Sequence, residues 1–172
     1  MPNTIQQYFS ILSRNYGFFA IIGITLLLFH NPFLLTLGFI LLFTSTDIIG
    51  FRYIDHERGT PHYRILQIII QFLLGMVVYL QGGIQPLISS LIIWYTFGCD
   101  VLFYLELGIP LHGISYFTSS PVVFLFVKIL KRDEAPKWAI LLGVFLGIAI
   151  AIFILLKKNS IPEIDPKTFD FV

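Results

Sequence analysis

The residues best suited to chemistry lie close together between Arg52 and Arg64. This stretch of 13 residues holds three arginines, two histidines and two carboxylates. Imidazole and carboxylate groups together suit Zn, Mn or Fe, whereas guanidinium groups hold phosphate through paired hydrogen bonds. The stretch therefore predicts a divalent metal site or a site for a phosphate head group, and the alternative is a water-exposed loop whose arginines only set topology. The predicted substrate-binding residues are Arg52, Arg58 and Arg64.

Two further carboxylates, Asp47 and Asp100, lie inside apolar segments. Burying an unpaired carboxylate in a membrane helix costs about 2.5–3.5 kcal/mol on insertion scales, so a compensating contact is expected. That contact is a metal, a proton-transfer partner or a substrate, and the alternative is an ion pair with a loop arginine. The predicted catalytic residues are Asp47, His56, His62 and Asp100, and the predicted metal ligands are Asp55, His56, His62 and Asp100.

The same stretch resembles the YdjM-like family of membrane-bound metal-dependent hydrolases. Members of that family place an Asp-His pair and a nearby His-Arg-Gly-x-Thr-His run after an early hydrophobic helix, with another Asp later in the chain. The matching pieces here are Asp55-His56, the run from Arg58 to His62, and Asp100. Tyr53 stands where the family usually has an additional Asp. The resemblance covers a minor part of the chain and implies metal-dependent chemistry at these residues.

Long apolar runs surround these polar residues. The 35 positions between Arg64 and Asp100 carry no charge, which is too long for one helix in the core of a soluble protein. Hydrophobic residues make up 56% of the chain and charged residues 12%, about half the charge of a soluble domain. The sequence therefore predicts an all-α, polytopic integral membrane helix bundle.

Helix-breaking residues divide the apolar runs into spans. His30, Asn31 and Pro32 separate the first two spans, and a turn rich in Gln and Gly near position 82 separates the third from the fourth. We expect six transmembrane helices in a single domain covering 1–172, with a short polar tail at 157–172. Because Pro and Gly punctuate the fifth span, the alternative is five spans plus a re-entrant segment at about 108–127. The predicted spans are 16–30, 32–51, 64–80, 86–106, 110–130 and 137–156.

The distribution of Lys and Arg predicts the orientation, because short cytoplasmic loops carry the excess of these residues. With six spans, seven basic residues lie on the side of the Arg52–Arg64 loop and four on the other side. With five spans and a re-entrant segment, the numbers are eight and three. Both arrangements put the Arg52–Arg64 loop in the cytoplasm, at a plasma or inner membrane. They also predict that Asp47, Asp100, Glu106 and His112 gather on the side of that loop.

Other function classes find little support in the sequence. A net charge of +1 gives no basic surface for nucleic acid. The single cysteine, Cys99, cannot form an internal disulfide. No glycine-rich phosphate loop or serine nucleophile motif is present.

Three functional hypotheses follow from these observations. The first is a membrane enzyme that acts on a lipid or lipid-linked head group, with Zn, Mn or Fe as its metal. The second is a cation or proton transporter component that uses Asp47 and Asp100. The third is a non-catalytic subunit that packs against partner proteins. We lean toward the enzyme. Membrane lipids are the expected partners, and Gly143 and Gly147, spaced four apart on one helix, predict either an internal packing face or contact with another copy or membrane protein.

Overall fold

The described part of the protein is all-helical. The computed structural model describes residues 15–50, 61–96, 98–107, 110–113 and 120–157, and these residues contain no β-strand. Its helices are α1 (Asn15–Leu27), α2 (Pro32–Ile49), α3 (Pro61–Gly82), α4 (Ile84–Tyr95), α5 (Gly98–Leu107), α6 (Pro121–Val123), which continues as a π-helix (Phe124–Ile129), and α7 (Lys137–Leu156). Among them α2, α3 and α7 are long and apolar enough to cross a membrane, and α1 and α4 are shorter apolar helices. The all-helical prediction is confirmed for these residues, whereas a bundle of six spans is not confirmed.

The first two helices form a closely packed hairpin. Asn31 caps α2, since its side-chain oxygen accepts hydrogen bonds from the backbone N–H groups of Phe33 and Leu34 at 2.9 and 3.3 Å. Pro32 takes the first turn, where a missing N–H costs nothing. Further along, Gly23 and Gly38 bring the two backbones together: a Cβ at position 23 would lie only 2.8 Å from the backbone nitrogen of Leu42. Only glycine allows this approach.

Helix α2 is the centre of the bundle. It packs against α1, α3, α4 and α5, and 56% of its apolar window is buried. Leu35, Phe39 and Ile48 are completely buried along it. In contrast, only 11% of the window of α3 and 22% of that of α7 is buried. These two helices therefore turn broad apolar faces outward, which is the arrangement that a bilayer tolerates and water does not.

Helices α4 and α7 run antiparallel along one another. The side-chain amide of Gln85 donates to the backbone oxygen of Lys157 at 2.7 Å, and the hydroxyl of Ser89 donates to the oxygen of Ala151 at 3.3 Å. At the far end of α4, Thr96 fills the space beside Gly147. Residues later in α4 contact residues earlier in α7, so the two helices are antiparallel.

The predicted span 86–106 is wrong as a single helix, because the structure divides it into α4 and α5. The hydroxyl of Thr96 bonds back to the carbonyls of Ile92 and Ile93 at 2.9 and 3.1 Å, a local contact that competes with helix continuation. Gly98 then lies so close to Ile93 that a Cβ there would be 2.9 Å from the Ile93 oxygen. The helix is therefore interrupted between Tyr95 and Gly98.

The predicted helix 110–130 also differs in the structure. Residues 110–113 are not helical, because proline and glycine favour other conformations at 110 and 113. Among the described residues that follow, helix begins at Pro121. Val122 contacts Gly143, and the ring of Phe126 lies 5.6 Å from that of Trp138. The segment from Pro121 to Ile129 thus runs antiparallel to the first half of α7 and returns to the end where α7 begins.

Candidate functional site

Polar side chains from several elements lie at one end of the bundle, which we call the polar end. It is formed where α2 and α5 finish, where α3 and α7 begin, and by the chain around 110–113 and 130–136. The described side chains that define it are Asp47, Gln67, Tyr104, His112 and Glu134. The opposite end carries Asn31, Gln81, Gln85 and Lys157.

Asp47 is joined to α3 at the polar end. The side-chain nitrogen of Gln67 donates a hydrogen bond to a carboxylate oxygen of Asp47, and both residues are partly buried. This bond connects α2 with α3 close to the point where the chain leaves α2 at Gly50 and enters α3 at Pro61. A hydrogen bond to a carboxylate contributes about 1.5–3 kcal/mol, so the carboxylate has a defined position. The sequence analysis did not single out Gln67, although a glutamine in a long apolar run is a visible signal.

Most of the predicted loop residues lie outside the described residues. Arg52, Asp55, His56 and Arg58 belong to this group, and their predicted roles are not tested. The positions of His62 and Arg64 lie in the first turn of α3. The chain between Gly50 and Pro61 joins two helix ends at the polar end, so the loop is attached there at both sides.

Asp100 lies in the first turn of α5, directly after the break between α4 and α5. Its side chain is partly buried. The N-terminus of a helix carries a partial positive charge and favours a carboxylate in its first turn. Because α5 packs against α2, Asp100 and Asp47 belong to neighbouring helices.

A second polar group of the polar end is formed by Tyr104 and His112. The Tyr104 hydroxyl and the Nε2 atom of His112 lie 3.1 Å apart, and the two rings meet edge to face at 5.0 Å. Tyr104 is buried and His112 is exposed. The carboxylate of Glu134 occupies the space that a side chain at Gly113 would need. Nothing in the sequence pattern identified Tyr104 or Glu134, because their proximity to residues 112 and 113 comes from the folding of the chain.

The described residues contain no group of three or more His, Cys, Asp or Glu side chains arranged to hold a metal ion. This does not test the predicted ligand set, because Asp55 and His56 lie outside the described residues and only the helical position of His62 is known. The prediction of a divalent metal therefore stays a prediction.

Gly143 and Gly147 face the interior of this chain. Both are buried, Gly143 against Val122 and Gly147 against Thr96. The internal packing role is therefore observed. A second role in contact with another copy or a membrane partner stays a prediction.

An apolar groove of about 470 Å³ runs along the outward surface between α3 and α4. Its walls include Ile68, Phe72 and Tyr79 from α3, and Leu87 and Leu91 from α4. Apart from Gln71 and the hydroxyl of Tyr79, its lining side chains are hydrocarbon or thioether. Since most of the apolar window of α3 is exposed, the groove opens sideways rather than toward either end.

No family model, curated protein or solved structure matches this chain. The resemblance to YdjM-like hydrolases therefore rests on the motif residues from Asp55 to His62 and on Asp100.

Proposed function

We propose that the protein is a small membrane enzyme that acts on an anionic lipid or lipid-linked head group at the cytoplasmic face. The observation that supports this most directly is the Gln67–Asp47 hydrogen bond. It brings together the two helix ends from which the loop with three arginines emerges. An ordered carboxylate at the base of a loop whose sequence carries three arginines is suited to binding a phosphate ester and moving a proton on it.

The proposed topology has five membrane crossings and one re-entrant segment. Helix α4 alone is about 18 Å long, shorter than the ~30 Å hydrocarbon core, so α4 and α5 together make the fourth crossing. The chain then enters at His112, returns through Pro121–Ile129, and crosses for the fifth time as α7. Contacts of Gly113 with Glu134 and of Phe126 with Trp138 support this path.

Charge supports the same topology. The polar end then holds eight of the eleven basic residues, as expected for a cytoplasmic surface. These eight are Arg14, Arg52, Arg58, Arg64, Lys128, Lys131, Arg132 and Lys137. The remaining three, Lys157, Lys158 and Lys167, follow α7 on the other side.

Each group of residues has a distinct proposed role. Arg52, Arg58 and Arg64 bind the phosphate. Asp47 and Asp100 act with His56 and His62 as acid and base. Alternatively, Asp55, His56, His62 and Asp100 would hold a divalent metal, which would supply positive charge for a phosphate oxygen.

Two measurements on detergent-solubilised protein test this proposal. The first is metal analysis of wild type, Asp100→Ala and His62→Ala by mass spectrometry. Wild type is expected to hold near-stoichiometric Zn, Mn or Fe, and both variants are expected to lose it. Folded wild type without metal would refute the metal version of the proposal.

The second is native mass spectrometry, which is expected to show that phosphatidylglycerol binds in preference to phosphatidylcholine. Arg58→Gln is expected to weaken that preference about tenfold or more, whereas Lys157→Gln at the opposite end leaves it unchanged. Equal losses in the two charge variants would refute the site.

A second candidate function is transport of a cation or proton. The observation that favours it is the break between α4 and α5, because discontinuous membrane helices commonly bind ions at their exposed ends, and Asp100 lies in the turn that follows. Asp100→Asn would then stop flux into proteoliposomes while His56→Ala and His62→Ala leave it intact. The enzyme hypothesis predicts instead that the histidine variants lose activity without loss of membrane insertion.

A further inference from the structure

The groove between α3 and α4 has the dimensions of a single lipid chain. From Ile68 to Tyr79 it follows α3 for about 16 Å, close to half of the ~30 Å hydrocarbon core and so to the depth of one leaflet. Its volume of about 470 Å³ lies within the range of small-ligand sites. Gly75 is buried where α3 meets α4, and a Cβ there would lie 3.3 Å from Leu87. The floor of the groove is therefore closed by close helix contact, and its side is open.

The end of the groove nearest the polar end has a basic position above it. Arg64 precedes Ile68 by four residues on α3, so the two positions are one turn apart on the same face of the helix. Gln67, which bonds Asp47, is the residue immediately before Ile68. Along α3 the sequence thus passes from a basic residue at 64 and a polar one at 67 to a groove that is apolar apart from Gln71 and the Tyr79 hydroxyl, and this order complements an anionic amphiphile. A second apolar helix would match the groove but not the charge above it.

We infer that this groove binds one acyl chain of the anionic lipid whose head group lies at the polar end, at the level of position 64 on α3. This inference rests on the proposed function and specifies the apolar part of its ligand. The chain lies along α3 from Ile68 toward Tyr79, and the head group stays at the polar end. Binding of both parts explains why an outward-facing helix carries a groove rather than a uniform lipid-facing surface.

The test uses the full-length protein in phosphatidylcholine vesicles that contain phosphatidylglycerol with a photoactivatable diazirine halfway along one chain. After illumination and digestion, we expect crosslinks on the peptide that contains Phe72, Met76 and Tyr79. Met76→Trp fills the groove at a position that is 45% exposed, so the fold tolerates it. This variant is expected to lower the crosslink yield at least fivefold. Its matched control is Leu73→Trp, which adds the same ring on α3 outside the groove at a residue that is 55% exposed.

The outcomes separate this inference from the proposed function. Loss of the crosslink in Met76→Trp but not in Leu73→Trp, with phosphatidylglycerol still preferred over a phosphatidylcholine probe, supports both. Equal crosslinking in wild type and both variants overturns the groove and leaves the head-group site standing. Crosslinks that respond to Met76→Trp but form equally with the phosphatidylcholine probe overturn the assignment to an anionic lipid. Protein-to-protein crosslinks through this peptide would show that a second copy occupies the groove and would also overturn it.

Discussion

Replacing Gly147 by alanine adds one methyl group at the contact between α7 and the end of α4. That methyl would overlap the hydroxyl oxygen of Thr96 and lie 2.8 Å from its Cβ atom, where ordinary contact begins at 3.4 Å, so either the Thr96 side chain turns away or the two helices move apart. Thr96 cannot simply rotate away without losing the hydrogen bonds of its hydroxyl to Ile92 and Ile93. Overpacking of this kind costs about 1–3 kcal/mol.

The expected net effect is smaller than the packing cost, because alanine is about 1 kcal/mol better than glycine inside a helix. We therefore expect Gly147→Ala to lower the free energy of unfolding by about 0–2 kcal/mol. Gly75→Ala is the matched control, since its methyl would meet only the end of the flexible Leu87 side chain at 3.3 Å. That control is expected to be neutral or up to about 1 kcal/mol more stable, which leaves Gly147→Ala less stable than the control by up to about 3 kcal/mol.

Reversible unfolding in mixed detergent micelles, followed by circular dichroism, measures these differences. A double-mutant cycle with Thr96→Ala identifies the contact, because that change removes the hydroxyl and one methyl from the crowded space. We expect Gly147→Ala to cost less in the Thr96→Ala background, with a coupling of about 0.5–3 kcal/mol. Additivity within about 0.3–0.5 kcal/mol would mean that Thr96 does not lie against Gly147, and the arrangement of α4 on α7 would be wrong.

Three further substitutions test other parts of the bundle by the same unfolding assay. Gly23→Ala places a methyl 2.8 Å from the backbone nitrogen of Leu42, where no side-chain rotation can relieve it, and is expected to cost about 1–3 kcal/mol; an unchanged midpoint would contradict the backbone contact. Asn31→Ala removes the cap of α2 and should cost about 1 kcal/mol, while Asn31→Asp keeps it; equal losses would argue against capping. Gln67→Leu removes a hydrogen-bond donor to Asp47 and should lower the free energy of unfolding by about 1–3 kcal/mol. The double variant Gln67→Leu with Asp47→Leu should regain most of that stability; no gain would show that the pair does not interact.

The sequence alone was sufficient to predict an all-helical chain with helices long and apolar enough to cross a membrane. Apolar run length is a local property, and the stretch from Lys137 to Leu156 is found as one helix with the predicted bounds. Local breakers were also informative, since the cap at Asn31 and the first-turn proline at position 32 come directly from neighbouring residues. Such signals act within one turn, so no knowledge of the rest of the chain is needed to read them.

The interruption at Thr96 involves a tertiary contact in addition to the local bonds of its hydroxyl to Ile92 and Ile93. The stretch from Ile84 to Leu107 contains no central proline, and its apolar pattern predicts one continuous helix. In the structure, Thr96 contacts Gly147 and Gly98 contacts Ile93, and the former contact joins residues far apart in the chain. A sequence pattern cannot report such a contact, because it depends on which helix lies alongside.

The candidate site divides in the same way. Residue type and position were enough to select Asp47 and Asp100, since an isolated carboxylate in an apolar run is costly wherever the helix goes. The hydrogen bond from Gln67 to Asp47 and the pairing of Tyr104 with His112 required the fold. The sequence by itself thus determined the apolar, helical character of the chain and the positions of its exceptional charges. Only the packing of one helix on another decided which polar groups bond to each other. Hydrogen bonds and close contacts depend on the distances between helices, and the apolar pattern of the sequence does not determine those distances.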